Sequence, residues 1–237
     1  MKILALDTAT EGCSVSLGIG GRHIDRYVEL ERGHAERLLP MIDEVLAEGG
    51  VSLNDLDAIA FGRGPGGFTG VRLAASVAQG LAFGAGIGVV PISDLAAVAQ
   101  HVCQLNPSAR RVLVVNDARM REVYWAAFEH ADSLAPAGVE RVSAAIEVTL
   151  PAGEGGWAAA GRGLKVWPEL AERCRAAGAS MYPELLPRAS EILTLARPAV
   201  AGGQILILPT HYRFMSGITW LCHRCNRRRN RAVINLQ

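Results

Sequence analysis

The sequence predicts an α/β protein of two similar halves, each built around a mixed β-sheet. Strand-like and helix-like segments alternate over the first 103 residues in the order β-β-β-α-β-α-β-α. An apolar strand ending in an acid occurs twice, at 2–7 and 112–117, and each copy is followed by a small turn and a second strand. Half of the 237 residues are apolar, which allows a sizeable core.

The first half opens with a three-strand meander over Lys2–Asp7, Cys13–Gly18 and His23–Leu30, with Gly20-Gly21 as a hairpin turn. A helix is predicted over Ala35–Glu48, because its apolar residues recur at three- and four-residue spacing. These residues are Leu38, Met41, Ile42, Val45 and Leu46. Pro40 predicts a bend or a missing backbone hydrogen bond inside this helix.

The rest of the chain can be divided into strands, helices and glycine-rich turns. A strand at 57–61, a glycine-rich loop at 62–70, a helix at 71–83, a strand at 88–92 and a helix at 94–103 complete the first half. Strands at 112–117 and 122–128 and short helices at 167–177 and 190–196 follow, whereas 131–165 gives no clear elements. We therefore expect an N-terminal half at 1–103, a shorter C-terminal half at 104–205 and a tail at 206–237.

Charge and cysteine content narrow the class of protein. The net charge of +1 gives the whole chain no electrostatic bias toward nucleic acid. Five cysteines, mostly isolated, fit reduced thiols in a cytosol. An acid inside the N-terminal apolar segment argues against an export signal. The uncharged run Leu73–Ser93 contains glycines and Pro91, so it predicts a helix, a turn and a strand rather than a membrane span. A cytoplasmic protein without membrane contact is the expectation.

The glycine-rich loop at 62–70 allows three interpretations. A P-loop requires a lysine where Phe68 stands, so this match is poor. A dinucleotide-binding fingerprint matches Gly62, Gly64 and Gly67, and Asp94 lies at a distance that suits a ribose-binding acid. The structural interpretation is a tight strand-to-helix turn without a ligand, since glycines permit close backbone approach.

Two acids, Asp7 and Asp117, end the first strand of each half. In a duplicated fold they can face one cleft and hold a metal–nucleotide complex through water, with Thr8, Thr10 and Arg119 near the phosphates. The structural interpretation is that both acids cap turns. His34 precedes a helix, but Leu38 stands at its i+4 position, so no two-histidine metal pair is formed there. No metal site is predicted.

Four segments together resemble the TsaB (YeaZ) family. They are Ile3–Thr10, His34–Pro40, Gly64–Arg72 and Asn116–Tyr124, and their order and spacing agree from residue 1 to about 205. The glycine loop, comprising Gly64, Pro65, Gly66, Gly67, Phe68, Thr69, Gly70 and Arg72, is the most specific of them. The resemblance implies the actin-like ATPase, or ribonuclease H-like, fold and a relationship to the glycoprotease proteins.

The resemblance also implies a function and partners. The family acts with a catalytic sister subunit, TsaD, and an ATPase, TsaE, to attach a threonylcarbamoyl group to the adenosine beside the tRNA anticodon. The sister's His-x-x-x-His metal pair aligns with Asp94 and Val98 here, and an aliphatic side chain cannot bind a metal. We therefore expect a non-catalytic scaffold with a degenerate nucleotide cleft, formed by Asp7, Thr8, Thr10, Asp117 and Arg119.

For a scaffold of this kind, no tightly bound cofactor is expected, only weak ATP or ADP binding at the interface with the sister subunit. Contact with tRNA is expected to be indirect. The helices at 35–48 and 71–83 are expected to pair and to present one face to the sister, or to a second copy when the chain is alone. The predicted face comprises His34, Glu36, Leu38, Leu39, Ile42, Val71, Leu73, Val77 and Leu81.

Two other functions remain open from the residues. One is an active actin-fold ATPase or kinase that uses Asp7 and Asp117, and the other is a dinucleotide-binding enzyme that uses Gly62, Gly64 and Gly67. The chain also departs from the family pattern after about residue 205. Residues 211–237 hold six arginines and no acid, which leaves 18 basic and 23 acidic residues before them. A frameshifted or disordered tail at 206–237 is our hypothesis for this change.

Overall fold

The computed structural model describes residues 1–151 and 156–207. Within these ranges, residues 1–97 and 187–207 form one compact unit, and residues 98–186 form the second. This division differs from the predicted halves at 1–103 and 104–205. The reason is that helix α6 (Ala189–Ala201) returns to the first unit and packs on its sheet. Periodicity identified a helix here but carried no information about which sheet would bury it.

The first unit contains a five-stranded mixed sheet. Its strands are β1 (Lys2–Asp7), β2 (Gly12–Ile19), β3 (Arg22–Glu29), β4 (Ala58–Gly62) and β5 (Gly88–Ile92). Their order is β3-β2-β1-β4-β5. The meander pairs antiparallel, whereas β1, β4 and β5 pair parallel. The carboxyl ends of β1, β4 and β5 therefore lie at one edge of the sheet.

Helices cover both faces of this sheet. Along β1, Leu4 and Leu6 are buried on one face in a cluster with residues of α1 (His34–Gly49) and α2 (Phe68–Ala85). Ile3 and Ala5 are buried on the opposite face with α6. This alternation is the two-residue period of a strand buried on both sides. Helix α1 continues through Pro40, which is exposed. Helix α3 (Asp94–Leu105) follows β5.

The second unit repeats the topology of the first. Its strands are β6 (Arg111–Arg119), β7 (Glu122–His130), β8 (Leu134–Pro136), β9 (Arg141–Ser143), β10 (Trp157–Ala160) and β11 (Ser180–Tyr182). The order is β11-β10-β6-β7-β8, and β9 also pairs with β7. Strand β6 is antiparallel to β7 and parallel to β10, as β1 is to β2 and β4. Helices α4 (Gly163–Val166) and α5 (Pro168–Ala176) complete the unit. The predicted fold class, two similar halves with mixed sheets, is confirmed.

The C-terminal end of the described chain adds to the edge of the first sheet. Leu206 exchanges two backbone hydrogen bonds of 2.9 Å with Val89 of β5. Most of the predicted tail, residues 208–237, lies outside the described residues. The run Leu73–Ser93 divides into α2, a turn and β5, as predicted. No helix in the described ranges has the length and apolar character needed to cross a membrane.

Candidate functional site

The glycine loop packs directly on the turn between β1 and β2. The amide of Gly67 donates a 2.7 Å hydrogen bond to the carbonyl of Ala9. The hydroxyl of Thr8 donates to the carbonyl of Gly70 at 2.7 Å. A side chain at position 70 would overlap the Thr8 carbonyl, so only glycine allows this approach. Glycine at position 70 is thus required by backbone packing.

This packing favours the tight-turn interpretation of the loop over a dinucleotide fingerprint. The amide of Gly67 is already bonded to the protein. Asp94 is completely buried, which makes it inaccessible to a ribose hydroxyl and corrects the ribose-binding assignment. The helix after the loop begins at Phe68 rather than at the predicted Val71. Phe68 is exposed, and the Arg72 guanidinium lies 3.3 Å from the centre of its ring.

Two aspartates meet beneath the loop. Asp7 ends β1 and Asp94 begins α3, and both are fully buried. Strand β4 lies between β1 and β5 in the sheet, and its last residue is Gly62. A side chain at Gly62 would collide with the Oδ1 atoms of both aspartates. Glycine at this position therefore leaves the space in which the two carboxyl groups meet.

Each carboxyl group also binds a backbone amide of a neighbouring segment. Asp7 Oδ1 accepts a 3.1 Å hydrogen bond from the amide of Ala9, and Asp94 Oδ2 accepts one from the amide of Gly64. The amide of Asp94 in turn donates to the Gly64 carbonyl at 3.0 Å. The pair connects the end of β1, the glycine loop and the start of α3.

Burial changes the acidity of both groups. Removal from water raises the pKa of Asp7 to about 6, against the lowering effect of its hydrogen bonds to Asp94 and to the backbone. Burial, followed by the negative charge of Asp7, raises the pKa of Asp94 well above its usual range. Both carboxyl groups are therefore protonated more readily than an exposed aspartate.

The acids Asp7 and Asp117 have the same local geometry but different surroundings. Asp117 Oδ1 accepts a 3.1 Å hydrogen bond from the amide of Arg119, two residues on, as Asp7 Oδ1 does from Ala9. Both acids therefore cap turns, as their structural interpretation predicts. Asp117 is exposed, in contrast to Asp7.

The other predicted cleft residues have mixed environments. Thr8 is buried and bonded to Gly70, whereas the Thr10 hydroxyl accepts from the amide of Gly12 at 3.2 Å. Arg119 is exposed and has a left-handed backbone with φ 61°. Asp7 and Thr8 are thus occupied inside the first unit, which leaves Thr10, Asp117 and Arg119 more accessible.

The predicted partner face on α1 and α2 divides into core and surface. Leu38, Ile42 and Val71 are buried in the first unit, which corrects their assignment to a partner surface. The apolar stripe of a helix packs first against its own sheet, and these residues belong to that stripe. Glu36 and Leu39 are exposed. The ring of His34 is partly buried, and its Nε2 lies 3.0 Å from the Thr10 carbonyl.

Helix α2 presents a face of small residues beside a half-buried apolar row. Leu73, Val77 and Leu81 pack against the core but keep part of their surface exposed. Ser76, Gly80 and Gly84 repeat at the same four-residue spacing and are exposed. A Cβ added at Gly80 or Gly84 would contact nothing within 4 Å. Phe83 is 62% exposed beside them.

No metal cluster is present in the described part of the chain, where no group of three or more His, Cys, Asp or Glu side chains could hold an ion. Val98 is buried and aliphatic. The contact between Asp7 and Asp94 was not predicted from the sequence. The signal was the parallel order of β1, β4 and β5, which brings residues after each strand to one edge of the sheet.

Comparison with known families agrees with this architecture. The profile of the family described as "TsaD: tRNA N6-adenosine threonylcarbamoyltransferase" matches residues 28–203. A protein of Escherichia coli named tRNA threonylcarbamoyladenosine biosynthesis protein TsaB is 39% identical over 211 residues, covering 86% of this chain and 89% of the relative. A protein of Haemophilus influenzae with the same name is 54% identical over 127 residues, covering 53% of this chain and 52% of the relative.

Solved structures give the same result over most of the chain. One, described as YeaZ from Pseudomonas aeruginosa, is 41% identical with a TM-score of 0.78, and the match covers 89% of this chain and 99% of that chain. A second, described as an uncharacterized protein with similarity to peptidase YEAZ from Pseudomonas aeruginosa, has a TM-score of 0.80 at 41% identity, covering 90% and 99%. The chain therefore belongs to the TsaB (YeaZ) family.

Proposed function

We propose that this chain takes part in the synthesis of threonylcarbamoyladenosine in tRNA as a non-catalytic subunit. It acts by binding the catalytic sister subunit TsaD. The names of the TsaB relatives support the process, and the match to the TsaD family profile supports a shared fold with the sister. TsaE is the ATPase partner in this proposal, tRNA is contacted through the complex, and the cytoplasm is the place of action.

The non-catalytic role is supported by the environment of the residues that a nucleotide-dependent reaction would need. Asp7 is buried and engaged with Asp94, and the glycine loop is bonded to the turn after β1. An ATPase that uses Asp7 would have to break these contacts before the carboxylate could reach a metal–nucleotide complex. We propose that nucleotide binding to the isolated chain is weak for this reason.

The observation that carries the scaffold proposal is the exposed face of α2. Gly80 and Gly84 leave open space where side chains would stand, with the partly exposed Val77 and Leu81 beside them. Small residues allow a second helix to approach closely, at the short end of the usual interhelical distances of about 8–10 Å. Leu39 adds an exposed apolar side chain on α1. A second copy of this chain would compete for the same face when TsaD is absent.

The test introduces a bulky charged side chain on the exposed face of α2, where it should block partner binding without disturbing the fold of the isolated chain. Gly80→Arg adds a long cation where nothing lies within 4 Å, and arginine favours a helix over glycine by somewhat less than 1 kcal/mol. The matched control is Ala176→Arg, at an exposed position of α5 in the second unit. Binding to TsaD is measured by titration, and formation of the modified nucleoside is measured in a reconstituted reaction.

We expect Gly80→Arg to keep or raise the melting temperature and to weaken TsaD binding at least tenfold, while Ala176→Arg binds normally. Leu39→Asp is expected to act in the same direction. Normal binding by Gly80→Arg would overturn the assignment of α2. If both variants bind TsaD normally and the isolated chain hydrolyses ATP, the result would instead favour an active ATPase.

A further inference from the structure

The two buried aspartates beneath the glycine loop have an incomplete set of hydrogen bonds. Asp7 Oδ1 is bonded to the amide of Ala9, and Asp94 Oδ2 to the amide of Gly64. The remaining oxygens, Asp7 Oδ2 and Asp94 Oδ1, are buried and have no donor among the described residues. Ionised carboxylates only accept hydrogen bonds, so two ionised groups would leave both of these oxygens unsatisfied.

The charged side chains near the two aspartates do not donate a hydrogen bond to these two oxygens. His34 of α1 exerts an electrostatic effect on Asp7, but its Nε2 is engaged with the Thr10 carbonyl at 3.0 Å. Arg63, which follows β4, acts electrostatically on Asp94. Cys13 of β2 is near enough to Asp7 to be affected by its charge. Burial and that charge raise the pKa of the Cys13 thiol to about 11, so the thiol remains neutral.

We propose that Asp7 and Asp94 bind one proton between their two carboxyl groups, and that this proton fastens the glycine loop to the turn after β1. The proton makes one carboxyl group a donor and the other an acceptor, which satisfies both remaining oxygens at once. It also removes the repulsion that two ionised carboxylates would have in a buried site. Gly62 is necessary because the two groups meet across the end of β4.

Binding of this proton predicts how stability depends on pH. The pKa of Asp7 is raised to about 6, and that of Asp94 is raised well above the ordinary 3.8. Between about pH 4 and these raised values the folded chain holds more protons than the unfolded chain. The ratio of folded to unfolded protein therefore falls as pH rises, about tenfold per pH unit for each extra proton. The contribution is complete below about pH 4 and is lost above the folded values.

The experiment compares the whole chain with Asp94→Asn. Asparagine places an N–H donor toward Asp7 and keeps the size of the side chain, so it imitates the protonated acid at every pH. Asp117→Asn is the matched control, because Asp117 accepts the same type of turn hydrogen bond but is exposed. Proton release on thermal unfolding near pH 6 is measured by calorimetry in buffers of different ionisation enthalpy.

We expect the natural chain and Asp117→Asn to release about one proton more than Asp94→Asn. Infrared spectra should show one protonated aspartic acid carbonyl band, which Asp94→Asn removes. Equal proton release by all three proteins would overturn the proposal. Stabilisation by Mg²⁺ or K⁺ at high pH that depends on Asp94 would also overturn it, in favour of a cation. If Asp94→Asn does not fold, the proton release of the natural chain and of Asp7→Asn decides the question.

Discussion

Leu38 and Leu39 are adjacent on α1 but should differ sharply in their effect on stability. Leu38 is 0% exposed and lies in the core cluster, whereas Leu39 is 48% exposed. Truncation of a buried leucine to alanine costs about 2–5 kcal/mol, because the lost transfer energy adds to the cavity that remains. Leu39 loses only its half-buried surface, which is worth about 1 kcal/mol from the usual cost of burying a leucine side chain.

These free energies convert to well-separated melting temperatures. For a chain of this size, 1 kcal/mol shifts the melting temperature by about 2–4 °C. Leu38→Ala should therefore melt about 6–12 °C lower if it costs about 3 kcal/mol. Leu39→Ala should melt about 2–4 °C lower.

The melting temperatures are measured by circular dichroism. All scans use the same protein concentration, because dimerisation would make the melting temperature depend on concentration. The same pair of variants then separates folding from binding. Leu39→Ala should bind TsaD more weakly than the natural chain although it is nearly as stable. Equal destabilisation by the two variants would refute the orientation of α1 on the sheet, and with it the division between core and partner face.

Two further contrasts test the loop and the C-terminal end. Gly70→Ala should destabilise the chain, because its Cβ overlaps the carbonyl of Thr8, whereas Gly80→Ala should stabilise it by up to about 1 kcal/mol; chemical denaturation of both variants checks the signs. Truncation after residue 209 should leave the melting temperature within a few degrees, but truncation after 204 should lower it. The shorter chain loses the two hydrogen bonds between Leu206 and Val89, at about 0.5–1.5 kcal/mol each. A collapse of soluble expression on truncation after 209 would show that the tail is integral to the fold.

Secondary structure was predictable where a local pattern was strong. The strands at 2–7 and 88–92 have the predicted bounds, since each is an apolar run ended by a polar residue or a turn. Strand β10 was missed because four residues, Trp157–Ala160, carry almost no pattern of their own. Its pairing with β6 on one side and β11 on the other defines it, and that pairing is non-local.

The candidate site shows the same limit in a different form. The apolar stripe of α1 was read correctly as a helix face, but Leu38 and Ile42 were assigned to a partner as well as to the core. A stripe alone cannot say where burial against the chain's own sheet ends and free surface begins. Gly80 and Gly84 of α2 are exposed although glycine is unfavourable inside a helix, and the proposed partner face is based on them.

Asp7 and Asp117 show that a repeated motif need not have a repeated function. Asp7 and Asp117 both accept the amide two residues on, so the turn is a property of the duplicated fold rather than evidence of a nucleotide site. Among the described residues, the first unit adds a second buried acid, Asp94, and a glycine at the end of the middle strand that lets the two carboxyl groups meet. A carboxyl group buried in this pair is in contact with the protein rather than with solvent. The same residue type is therefore buried in an acid pair in the first unit and exposed at a turn in the second.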